Sequence, residues 1–109
     1  MDVSAKGPTV PPVSILLARE AQERIIGILA PHGAVRISLF GSLARGDSRP
    51  GSDLDLLVRF ETTPSLFRLA ELEERLADGL GVPVDIITER SLGPYTRESV
   101  LREAKVIYG

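Results

Sequence analysis

Gly41-Ser42-Leu43-Ala44-Arg45-Gly46-Asp47-Ser48-Arg49-Pro50-Gly51-Ser52-Asp53-Leu54-Asp55 is a Gly-Ser pair, ten intervening residues and an Asp-x-Asp. The six residues before it, Val35 to Phe40, alternate apolar and polar as a half-buried strand does. The residues after Asp53 are mostly apolar, Leu54, Leu56, Leu57 and Val58, and start a second strand. Side chains of a strand alternate between faces, so Asp53 and Asp55 share one face with Cα atoms about 6.6 Å apart. Two carboxylates that close repel one another unless a cation lies between them. Mg²⁺, a hard ion that takes oxygen from one or two carboxylates and from substrate phosphates, suits such a pair.

The Gly-Ser pair falls where the first strand ends, with Leu43-Ala44-Arg45 expected to open a helical turn. Free backbone N–H groups at such a start form an anion site, and the Ser42 hydroxyl adds a donor. A phosphate cradle beside a metal-binding dyad is the minimum equipment for phosphoryl or nucleotidyl transfer. From this chain's own Gly, Ser and Asp content the whole pattern arises by chance about twice in a thousand such sequences. The spacing therefore carries information that neither half carries alone.

In these residues the chain resembles the nucleotidyltransferases of the DNA polymerase β type, and among them the minimal nucleotidyltransferases (MNT). The MNT signature GSxARGxxxxxSDxDL is matched by Gly41, Ser42, Ala44, Arg45, Gly46, Ser52, Asp53, Asp55 and Leu56. The family has a third acidic residue on a later strand, and Asp85 in Val84-Asp85-Ile86-Ile87 takes that place. The ending Arg102 to Tyr108 is similar too, so the likeness runs from about Val35 to Tyr108. The resemblance implies a polymerase β-like core, two Mg²⁺ ions held by Asp53, Asp55 and Asp85, and ATP as substrate. Gly41 and Ser42 would grip its phosphates. Arg45 would either contact a phosphate or pair with an acid to hold the loop. Asp85 would serve the attacking hydroxyl. The implied partner is a HEPN-domain toxin, a ribonuclease that the MNT antitoxin neutralises by moving AMP onto a toxin tyrosine. Two other functions remain open at this level: an antitoxin that only masks its toxin by binding, and the catalytic subunit of an antibiotic adenylyltransferase.

The bulk numbers set bounds. A chain of 109 residues makes one domain, with 43% hydrophobic residues and few aromatics to fill a modest core. A net charge of −2 argues against a nucleic-acid backbone binder, which would carry a basic face. With no cysteine, disulfides and thiolate metal sites are excluded. No apolar run approaches the roughly 20 residues of a membrane span, and the start lacks the build of a signal peptide. A soluble, cytoplasmic protein is expected. Only 24 residues follow Asp85. An acceptor site must then come from a partner or a second copy, as a hetero- or homo-oligomer.

The expected architecture is an α/β (α+β) domain, a small mixed β-sheet flanked by helices, over residues 13–109 behind a flexible tail of residues 1–12. A helix capped by Ser14 carries Leu17, Ala21, Ile25 and Ile28 on one face and stops at Pro31-His32-Gly33. Strands follow at Ala34–Phe40 and Asp53–Phe60, the second with Leu54, Leu56, Val58 and Phe60 opposite the aspartates. Thr63-Pro64-Ser65 starts a helix bearing Leu69, Leu72, Leu76 and Leu80, which Gly79 and Gly81 end. A third strand is read over Val82–Thr88, a short helix near Pro94–Glu103 and a closing strand at Lys105–Tyr108. His32 is read as a surface residue, the segment from Asp47 to Arg49 as solvated loop, and Tyr95 and Tyr108 as core or interface packing residues.

Overall fold

The computed structural model describes residues 19–41 and 53–109. Helix α1, Arg19–Leu29, buries Ala21, Ile25 and Leu29, and a 3-10 turn at Ala30–His32 ends against Gly33 at φ 93°. Strand β1, Ala34–Phe40, leads to Gly41; strand β2 is Leu54–Phe60. Helix α2, Leu66–Leu80, begins where Ser65 accepts a hydrogen bond from the Arg68 N–H at 3.1 Å. It closes where Gly81, at φ 77°, donates its N–H to the Ala77 carbonyl. Strand β3, Val84–Thr88, a 3-10 turn at Glu89–Ser91, helix α3, Pro94–Glu103, and strand β4, Lys105–Tyr108, complete the order. The Ser14 cap, Leu17, the tail, Ser42, Arg45 and the Asp47–Arg49 loop lie outside the described residues.

The four strands form one mixed sheet in the order β3-β2-β1-β4. β1 runs antiparallel to both β2 and β4, and β2 runs parallel to β3. Alternation along β2 sends Leu54, Leu56, Val58 and Phe60 into the core with Ile25 and Leu29 of α1, Leu72 and Leu76 of α2, and Ile37 and Leu39 of β1. Each fully buried leucine there contributes about 2 kcal/mol. That burial fixes the register, because a slip of one residue would turn the aspartate face inward.

β2–α2–β3 and β3–α3–β4 are both parallel crossovers, and they travel in opposite directions across the sheet. Right-handed connections then place α2 and α3 on opposite faces. The contacts agree: α2 feeds the core, whereas no residue of α3 belongs to it. Instead α3 is tied to the other face by Arg97, which pairs with the buried Glu89 at 3.6 Å, while Glu89 is held by Arg36 of β1 at 2.8 Å.

Three expectations change in detail. β3 begins at Val84, not Val82; the Leu54 N–H instead bonds the Pro83 carbonyl just ahead of it. Gly79 does not end α2 but lies inside it, where a side chain would crowd Arg24 of α1. Tyr95 is not a core residue, being 93% exposed, and Tyr108 is also open to solvent. His32 is half-buried. No helix among the described residues is long and apolar enough to cross a membrane.

Candidate active site

The face opposite the core carries the residues that the sequence singled out. β1 delivers Phe40 directly across from Asp55, and the parallel β2–β3 ladder sets Asp55 beside Asp85. Asp85 lies between the buried Val84 and Ile86, so it takes the outer face and is exposed. Asp55 is half-buried, while Asp53 precedes the first ladder residue and is exposed.

Gly41 sits where β1 leaves the sheet, at φ 83°, a left-handed conformation that glycine adopts without strain. A Cβ built on it would run into the Asp55 carboxylate. The backbone at the end of β1 and that carboxylate are therefore in immediate contact, an approach only glycine permits. Ser42 and Arg45, the other expected phosphate ligands, are outside the described residues.

The electrostatics join the three acids. Burial pushes the Asp55 carboxyl above the usual carboxylate range, and the charges of Asp85 and then Asp53 raise it further. Asp55 thus feels both other carboxylates. Among the described residues, however, no three acidic or histidine side chains converge closely enough to hold a metal as they stand. The donor chemistry itself, carboxylate oxygens whose mutual repulsion a cation would relieve, fits a hard divalent ion.

The shallow groove of about 380 Å³ beside Ser65, Phe67, Arg68 and Glu71 has no part in this site. It opens at the start of α2, beyond the end of β2 farthest from the aspartates.

Sequence reading missed two features of this face. Glu89, 2% exposed, bonds Arg36 through both carboxylate oxygens at 2.8 and 2.9 Å. With the two 53 positions apart in the chain, no local pattern links the pair. Arg59 lies on the aspartate face as well, and the alternation Val58-Arg59-Phe60 was signal enough to find it.

A mixed sheet with helices on its inner face and acidic residues at one end of its outer face is the frame of a nucleotidyltransferase. The family model for the nucleotidyltransferase domain matches residues 23–107, and the chain belongs to that family. Protein adenylyltransferase MntA of Thermococcus cleftensis is 42% identical over 94 residues, covering 79% of this chain and 93% of that one. A solved minimal nucleotidyltransferase superposes with a TM-score of 0.75 at 47% identity, over 90% of this chain and 97% of that chain. The fold is likewise similar to a chain in a complex of tri-AMPylated Shewanella oneidensis HEPN toxin with MNT antitoxin. There the TM-score is 0.67 at 26% identity, over 84% of this chain and 71% of that chain. The polymerase β-like α/β fold expected from the motif is the fold observed.

Proposed function

We propose that this chain is an antitoxin that transfers AMP from ATP to a tyrosine hydroxyl of a HEPN ribonuclease toxin. The observation that carries this reading is the meeting of the Gly41 backbone with the Asp55 carboxylate, with Asp85 in register beside it. Its support comes from the MntA relative and from the AMPylated HEPN toxin bound to the MNT neighbour.

In the reaction the tyrosine oxygen attacks the α-phosphorus of ATP. The new O–P bond forms as the bond to the β-phosphate oxygen breaks, and pyrophosphate leaves. Gly41 and Ser42 hold the β- and γ-phosphates through backbone N–H groups and a hydroxyl, and Arg45 adds positive charge. Asp53, Asp55 and Asp85 would hold Mg²⁺, which when bound neutralises the charge that develops on the phosphates. Asp85, on its separate strand, faces the acceptor and takes the tyrosine proton. Positioning and charge neutralisation supply most of the rate, so no nucleophilic side chain is needed.

An antitoxin that only masks its toxin would have no use for the three carboxylates, and all three are present. The test is to incubate the protein with Mg²⁺, ATP labelled at the α-phosphate, and a HEPN-domain protein. Label on the HEPN protein with wild type and none with Asp85→Asn supports transfer. Full protection of cells by a transfer-dead Asp85→Asn would favour masking.

A further inference from the structure

The outer face has a second charged region, at the end of the sheet away from the aspartates. Antiparallel pairing sets Arg36 of β1 directly opposite Arg59 of β2. Like charges facing each other across strands are unfavourable. Arg90 follows Glu89 in the 3-10 turn that packs on β2, and Arg97 comes in from α3. Two guanidinium groups, those of Arg36 and Arg97, therefore pair with one buried carboxylate, with Arg59 across from Arg36 and Arg90 next to Glu89 in the chain. Glu89 engages Arg36 and Arg97, whose side chains stay 31% and 48% exposed. Arg59 and Arg90 are exposed and have no acidic partner among the described residues.

Stability alone does not account for this arrangement. Glu89 offsets the charge of Arg36, while the exposed Arg59 across from it forms no ion pair among the described residues. A local excess of positive charge on a chain of net charge −2 suits an acidic counterpart brought by another molecule. Arg59 is four residues along β2 from Asp55 on the same face, about 13 Å away. Leu57, between them on the same face, is fully buried, so a partner would touch the arginines on one side of this covered ground while presenting a hydroxyl to the aspartates on the other.

We propose that Arg36, Arg59, Arg90 and Arg97 form the docking surface for an acidic stretch of the protein acceptor, held in shape by Glu89. This rests on the reading of the chain as a protein-modifying transferase, and it names where the acceptor is gripped. A nucleic-acid backbone is the less suitable occupant, because four arginines on a chain of net charge −2 fall short of the extended basic track that successive phosphates need.

The test measures fluorescence anisotropy of labelled oligoglutamate, oligolysine and oligouridylate with wild type and with the double variant Arg59→Glu/Arg90→Glu. Both positions are exposed, and a glutamate at 59 would face Arg36 favourably, so the variant's melting temperature should equal or exceed that of wild type. The expected result is oligoglutamate binding that weakens with salt and drops about tenfold in the variant, while oligolysine does not bind and ATP affinity is unchanged. Equal oligoglutamate affinity in both proteins would overturn the proposal. So would tighter binding of oligouridylate that the variant loses, which would assign the patch to nucleic acid. ATP affinity separates the two readings. A wild type that binds ATP but no oligoglutamate overturns the docking surface alone. One that binds oligoglutamate but no ATP leaves the surface standing and removes the transferase.

Discussion

Asp55 carries the strain of the site. Its carboxyl is raised by burial first, then by Asp85 and Asp53. In the unfolded chain that carboxyl ionises at its ordinary value, so between the two values the folded state holds the extra proton. Stability then falls as pH rises through the folded-state value and stays lower above it. Without metal, Asp55→Asn should melt higher than wild type at neutral pH, and the gap should close as the solution is acidified. Thermal melts across pH would show it, and a constant gap would contradict it. Gly41 makes a steric prediction. Gly41→Ala would force a left-handed backbone on alanine at a cost of about 1–2 kcal/mol. It would also press a methyl group on the Asp55 carboxylate. Calorimetry should find ATP binding lost or greatly weakened. Both residues were legible in the sequence through the Gly-Ser and Asp-x-Asp spacing. Their direct contact was not, because it depends on β1 and β2 pairing in one register.

Among the elements, α2 and the Glu89 turn give contrasting tests. Ser65 caps α2 from an exposed position. Ser65→Ala should cost about 1 kcal/mol in denaturant unfolding and leave nucleotide affinity intact. Glu89 is buried between two arginines from different elements. Glu89→Ala leaves Arg36 without its partner and should cost about 3 kcal/mol by the same measurement. β1, α3 and β4 lie where periodicity and turn residues placed them, since strand alternation and the Gly93-Pro94 start are local signals. The start of β3 was misread because Val82-Pro83 is apolar enough to pass for strand. The inner place of Gly79 was misread because glycine close to a helix end commonly stops it, whereas here Arg24 of α1 packs over it and donates a hydrogen bond to its carbonyl.

At the scale of the whole molecule, the strand order β3-β2-β1-β4 and the placing of α2 and α3 on opposite faces join residues far apart in the chain. Periodicity predicts which side of each strand is apolar but not which strands adjoin. That is why the aspartates could be read from a short motif, while the arginine cluster, assembled from β1, β2, the Glu89 turn and α3, could not. The sheet is divided into an inner face that builds the core and an outer face that carries acids at one end and arginines at the other, with the buried Ser38 and Leu57 between them. The most direct test is intact-mass spectrometry of a HEPN-domain protein, after incubation with ATP, Mg²⁺ and either wild type or Asp55→Asn. A gain of one or more AMP units with wild type and none with Asp55→Asn is the predicted result; an unmodified HEPN protein in both reactions, still bound and neutralised, would contradict AMP transfer as the function.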